Sequence, residues 1–359
     1  MTSRRNLQEV PMGDDNRPTP TRTVTSLAVS AACGLVFGFA IEKGKGMFVL
    51  AVMSMLPFTR RQYLGAKSVF VRGLREKGFL TTLSGGALLG SGMAIAGSVQ
   101  GTDLSPILAF FSFLQCPGVI LAQLGSGTQN SMYTLLGALF GTLLYGILEP
   151  VVTDLTKPAQ TIRFQFLYNV YGSPFFVMAL PSAAVLSLVV FTLELAYPWE
   201  EEINITDSVY QSSSWITSPA WPPFVSGIAV GSLQIPVVLV IGDTLGASSS
   251  FCTITSQFFL HKSSKRLSPY LLKFQSGIDN WWQVAFVLSS IFGAFLSSIL
   301  SGTYGSVAGV SIVQSFVGGA LILGHGLSGI GLLNLLSIST MAAMFVGGVL
   351  TAMILQWIS

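Results

Sequence analysis

The sequence predicts an all-α polytopic membrane protein, with about nine spanning helices and short intramembrane half-helices in two pseudo-symmetric repeats. Three observations predict it. Hydrophobic residues make up 51% of the 359 residues and charged ones only 9%, for a mean hydropathy of +0.66. The apolar residues gather in stretches of roughly 20, the length of a helix that crosses a bilayer. The alternation expected of a transmembrane barrel strand is absent.

The elements follow in order. Residues 1–22 are polar, carry Arg4, Arg5, Arg17 and Arg22, and lack a signal-peptide layout, so they read as a disordered cytoplasmic tail. A first repeat is expected over 23–150, with apolar spans at 24–41, 78–98 and 131–149. A connecting region, 151–222, holds a span at 175–193 and an acidic loop. A second repeat, 223–359, holds spans at 223–242, 281–299, 303–323 and 332–355. Shorter apolar stretches at 47–58, 104–124 and 246–260 are expected to be broken or re-entrant helices. From Asn280 to Ser359 there is no Asp, Glu, Lys or Arg.

Charge sets the orientation. Arg60, Arg61, Lys67, Arg72, Arg75 and Lys77 crowd one connection, and Lys262, Lys265, Arg266 and Lys273 another. The loop 194–221 carries Glu194, Glu200, Glu201, Glu202 and Asp207 without a Lys or Arg. Basic residues favour cytoplasmic loops, which places 59–77, 154–163 and 262–273 inside and 194–221 outside. Nothing in this charge pattern points to nucleic acid. Trp199, Trp215, Trp221, Trp281 and Trp282 read as interfacial anchors. Gly85, Gly86, Gly90, Gly92 and Gly97, and the pair Gly137 and Gly141, are spaced for close helix packing.

Polar breaks interrupt the apolar spans at matching places in the two halves. One is Cys116-Pro117-Gly118; the other runs from Asp243 through Ser248, Ser249 and Ser250 to Cys252. Such symmetry suggests a transporter with its site between repeats. A half-helix N-terminus presents free N–H groups and a partial positive charge, which suits an anion. Pro117 fits a first helical turn, opening an apolar run over Val119–Leu124, and the three serines add hydroxyl donors to a second half-helix near 250–260. A thiol beside each start can donate a weak S–H hydrogen bond to a polarisable, sulphur-bearing anion. Cys33 reads equally as a small apolar filler, and His325, held in Gly324-His-Gly, as an anion ligand or a loop cap. Asp243 and Glu42 are expected to cap helix ends or pair with a basic neighbour. No hydrolase triad, phosphate-binding loop, paired-carboxylate site, cofactor motif or metal-ligand spacing is present, so the chain reads as a non-enzyme with no cofactor.

The motifs Phe37-Gly-Phe-Ala-Ile-Glu-Lys43, Gly92–Ser98 with Cys116-Pro-Gly-Val-Ile-Leu-Ala-Gln123, Trp221-Pro-Pro, Asp243–Ser250 and Gly324-His-Gly-Leu-Ser-Gly329 resemble those of the YeeE/YedE family of sulphur-compound transporters. The resemblance covers about residues 30–355. It implies a permease in the plasma membrane that takes up thiosulfate or a related anion through an hourglass pathway. Cys116 and Cys252 match thiols that pass the substrate along, beside Cys33, His325, Ser248, Ser249, Ser250, Pro117, Gly118 and Gln123. A cytoplasmic sulphur-carrier protein and the lipid bilayer are the implied partners. Two other readings stay open: a degenerate member that no longer transports, and a membrane partner of a sulphurtransferase.

The chain departs from the family pattern at three places. Residues 99–115 separate Gly-Ser98 from Cys116, the segment that normally follows Glu42-Lys43 is shortened, and a cysteine-bearing segment is missing before Gly324. An intron retained over 99–115 and a skipped coding segment explain the first and last. The transcript of this gene, sequenced as cDNA, is expected to lack 99–115 and to restore a cysteine ahead of Gly324; a cDNA that matches the chain refutes this.

Overall fold

The computed structural model describes residues 20–44, 79–96, 118–156, 214–259 (without 244 and 246), 268–323 and 335–358, with scattered positions over 171–192. All regular elements among these are helices: α1 (Pro20–Lys43), α2 (Phe79–Ile95), α3 (Gly118–Gly125), α4 (Ser131–Thr156), α5 (Pro223–Ser232), α6 (Ser248–Phe259), α7 (Pro269–Leu272), α8 (Ile278–Leu300), α9 (Ile312–Leu323) and α10 (Leu335–Ile358). Helix α5 continues through Gln234–Pro236 into a π-helical turn, Val237–Ile241, which Gly242 ends with a left-handed φ of 79°. Among the described residues four segments are long and apolar enough to cross a membrane: Thr21–Lys43, Ser131–Val152, Phe224–Ile241 and Asn280–Leu300. Their mean hydropathies run from 1.8 to 2.2. Residues 47–58, Cys116, Pro117 and His325 lie outside the described residues, as does the tail 1–19.

Lipid offers helices no hydrophobic reason to pair, so close backbone packing through small residues must hold them together. Helices α1 and α8 run parallel on this principle. A Cβ at Gly34 would meet Phe286 O at 2.3 Å, and one at Gly38 would meet Ser290 O at 1.8 Å. From the other side, a Cβ at Gly293 would meet Leu35 O at 2.0 Å. Ser30 Oγ donates to Trp282 O at the start of this seam, and Lys43 reaches Ser297 O at its end. The expected Gly137 and Gly141 pair works likewise, pressing α4 onto Phe316 O and Ala320 O of α9. Gly92 and Gly318 bring α2 and α9 together antiparallel, and Gly347 of α10 meets Ala87 of α2.

Two expectations are corrected. The stretch 303–323 is helical only from Ile312, because Gly302 and Gly305 adopt left-handed φ of 68° and 70° at the end of α8. Gly305 N then donates to Ser126 O in the loop after α3, at 2.9 Å. Trp282 is not an interfacial anchor: it is 1% exposed and packs in the core. Trp221 is half-buried, its ring tilted against Phe39 with centroids 5.6 Å apart, and donates Nε1 to Trp215 O at 2.6 Å. Trp215 and Trp281 are exposed, as expected of anchors.

Gly38→Ala must push α1 off α8, since the new methyl overlaps a backbone carbonyl. It should cost about 1–3 kcal/mol, as overpacking does. Thermal unfolding of the detergent-solubilised protein checks this, with Val36→Ala on the exposed face of α1 leaving the midpoint unchanged.

Candidate functional site

The two short helices α3 and α6 begin at nearly the same level of α8 and run away from each other along it. Gly118, the first residue of α3, lies against the Phe37 ring, where a Cβ would be 3.0 Å from Phe37 Cζ. Phe37 in turn packs on Phe286 of α8, ring centroids 5.0 Å apart. The last residue of α3, Gly125, meets Ile291 O and Ala294 Cβ. Helix α6 goes the other way: Ser249 Oγ donates to Gln283 Oε1, and Gln257 Nε2 donates to Gln275 O at 2.6 Å. Gln283 and Phe286 are three residues apart, a rise of about 4.5 Å. Two N-termini, each a partial positive charge with unpaired N–H groups, therefore share one level of the bundle.

Two cysteines, Cys33 and Cys252, lie near that level. Cys33, 4% exposed, sits between Ser30, which bonds Trp282, and Gly34, which abuts Phe286. Cys252 lies one turn into α6. Cys116 precedes Gly118 by two residues in sequence but falls outside the described residues. Ser250 is fully buried and donates to Ala247 O; Thr253 Oγ1 donates to Ser249 O at 3.1 Å. The side chain of Ser248 is not described.

Cys252 has partners that the sequence did not reveal. It is hydrogen-bonded to the Tyr270 phenol of α7, whose ring meets that of Tyr145 edge-on with centroids 5.4 Å apart. Burial pushes the Tyr270 phenol well above its ordinary range, and the nearby Cys252 and Tyr145 push further. A phenol that keeps its proton is the donor in its bond to the sulphur. Local geometry places that ring. Ser268 caps α7 by accepting from Leu271 N at 3.2 Å and donates to Gly146 O at 2.6 Å, next to Tyr145. Gly146 allows this approach, since a Cβ there would lie 2.6 Å from Leu271 Cγ. A tyrosine inside an apolar span, followed by glycine, was the available signal.

A second polar spot lies toward the other end of the bundle. Gln123 of α3, Thr128, Ser131 and Thr134 of α4, and Ser315 of α9 line a small cavity with Ala96 and residues 308–310. Thr134 and Tyr145 are eleven residues apart on α4, close to three turns, so both spots lie on one face about 16 Å apart along the helix. Gln123 is part of this cavity's lining.

Buried charge closes the same end. Glu42, 4% exposed, accepts from Ser297 Oγ and, at 3.3 Å, from Thr303 Oγ1. Lys43, fully buried, donates Nζ to Ser218 O at 2.6 Å and Ser297 O at 3.4 Å, 5.3 Å from the Phe39 ring centre. Two hydroxyls thus hold the Glu42 carboxylate at the end of α1. Asp243 follows the left-handed Gly242 at the end of the π-helical turn. Among the described residues no group of three or more His, Cys, Asp or Glu is placed to hold a metal.

Small-residue seams and long apolar helices describe a helical membrane protein. The family described as "Sulphur transport" matches the chain over residues 115–350, well over half its length. The chain belongs to this sulphur transport family. It is a multi-pass membrane protein of a family of transporters, here with a sulphur compound as the family's cargo and lipid around it. No curated protein matches the chain.

If Tyr270 holds Cys252 by donating to its sulphur, the bond favours the thiolate. In a background of Cys33→Ser and Cys116→Ser, Tyr270→Phe should slow alkylation of Cys252 roughly 3–10-fold near neutral pH and move the rate–pH curve to higher pH. An unchanged curve refutes the bond.

Proposed function

We propose that this sulphur transport family member takes up thiosulfate or a similar sulphur anion across the plasma membrane, along a pathway that passes the head-to-head starts of α3 and α6. The observation that carries this reading is that two helix N-termini start at one level of α8, where Cys33 lies. Paired N-termini stabilise an anion in a low-dielectric setting without a fixed cation that would trap it. Thiols beside them donate weak S–H bonds, which suits a soft terminal sulphur and lets it leave.

The opposed directions of α3 and α6 support the two-repeat organisation, with 23–150 and 223–359 each supplying one half-helix. The placement of basic loops puts the Cys252–Tyr270 pair on the cytoplasmic side, because α7 borders the loop 262–273, and puts the Gln123 cavity toward the outside. An anion entering from outside then meets hydroxyls first, the N-terminal pair next and Cys252 last. On the inner side a sulphur-carrier protein is the natural acceptor. His325 belongs to the segment between α9 and α10 in sequence and is assigned to the same pathway.

Expression in a host that cannot use sulphate tests the reading. The chain should restore growth on thiosulfate, and Cys252→Ala should lower thiosulfate uptake at least about tenfold, the loss of one hydrogen-bonding step of roughly 1.4 kcal/mol. Rescue that is unaffected by Cys116→Ala with Cys252→Ala refutes the thiol relay. Rescue that needs an added sulphurtransferase refutes autonomous transport.

A further inference from the structure

We propose that Gln283 and Gln234 are positioning residues that set the anion specificity of uptake, a clamp of neutral amide oxygens on the start of α6. The inference rests on the reading of that helix start as a station for the anion, and names what keeps it fit for one. Gln283 of α8 is 9% exposed, and Gln234, in the continuation of α5, is 1% exposed. Gln283 Oε1 accepts from Ser249 Oγ, in the first turn of α6. Gln234 Oε1 accepts from Leu245 N at 3.2 Å, in the segment that leads into α6. Side chains from two other elements therefore hold this helix start from two sides.

The chemistry of each bond fixes its direction. The left-handed Gly242 ends the π-helical turn, and Leu245 comes back to the helix that the chain has just left. A backbone N–H can only donate, so the Gln234 amide turns its oxygen toward Leu245. The hydroxyl protons of the first turn are committed as well. That of Ser249 goes to Gln283, and that of Ser250 goes to Ala247 O. What this turn presents to an anion is therefore backbone N–H, the orphan donors of a helix start, together with their partial positive charge.

That partial charge survives only if no acid stands beside it. The first turn of α6 contains none, and Asp243 lies five residues ahead of Ser248. A carboxylate in place of the Gln283 amide would accept from Ser249 just as well. It would also neutralise the helix start and repel a passing anion, as the amide does not. The first turn of α3 likewise lacks an acid, and its Gly118 rests on the uncharged Phe37 ring. Both half-helix starts are thus fixed by neutral contacts, and for α6 the two glutamines supply them.

The test uses the detergent-purified full chain. Sodium thiosulfate should raise the unfolding midpoint saturably above that in sodium chloride of equal ionic strength, since a ligand of the folded state stabilises it. Gln283→Glu keeps the acceptor and adds a charge, and should raise the half-saturating thiosulfate concentration roughly tenfold or more. Gln283→Met loses the hydrogen bond without adding charge, and should raise it only about two- to fivefold. The order is the signature. A glutamine that merely holds the fold predicts the reverse, because glutamate preserves the bond and methionine does not. If Gln283→Glu fails to fold, Gln234→Glu and Gln234→Met are read by the same order. Equal or reversed effects, with thiosulfate still stabilising the unmodified chain, overturn the clamp and leave the transport reading standing. No thiosulfate effect on the unmodified chain overturns the anion station and the clamp together. The expected order in a chain that fails to restore growth on thiosulfate supports the clamp and removes the transport reading.

Discussion

The contact on which this structure depends is the backbone-to-backbone approach of α1 and α8. Three glycines, Gly34, Gly38 and Gly293, each face a carbonyl of the opposing helix at a distance no side chain would permit. This seam is central in a literal way. Helix α8 is the rail against which α3 and α6 are set, and α1 supplies Phe37, which seats the first of them. Sliding α1 by one turn would move Phe37 about 5.4 Å and detach the start of α3 from the start of α6. The shared level of the two N-termini is therefore a property of how α1 packs on α8.

Polar groups within the bundle fall into a consistent arrangement. Along α4, a hydroxyl-lined cavity and a thiol–phenol pair occupy one face, separated by about 16 Å, with the half-helix starts between their levels. The charges are kept apart from this line. Glu42 and Lys43 are bound by hydroxyls and carbonyls at the end of α1, where their bonds join α1, α8 and the 214–221 segment. A fixed cation beside the pathway would hold an anion too firmly, and neutral donors avoid that.

Much of this was legible in the sequence, for a physical reason. Spanning length, charge bias and glycine spacing are properties of short stretches, so α1, α4, α8 and the Gly137–Gly141 seam could be read directly. Both half-helices were signalled by breakers beside apolar runs, and they begin within a residue or two of Gly118 and Ser248. What could not be read depends on which distant residues meet. Tyr270 reaches Cys252 only because Ser268 finds the bare backbone at Gly146, over a hundred residues earlier. Gln123 lines one cavity with Thr134 and Ser315, a meeting that no local pattern announces. Trp282 was misassigned because an indole near a span end is ordinarily interfacial, whereas here the parallel α1 covers it. The late start of α9 follows from two left-handed glycines whose φ no periodicity reveals.

The buried lysine has a consequence for how the protein is made. Lys43 is fully enclosed, and its ammonium is satisfied by carbonyls 175 and 254 residues later in the chain. Ribosomes add roughly 5–20 residues each second, so α1 is made some 10–50 s before these two carbonyls exist. The last hydrogen bonds around the end of the first helix therefore form only when α8 arrives, and a chain truncated before α8 lacks the Ser297 carbonyl that helps to receive the ammonium.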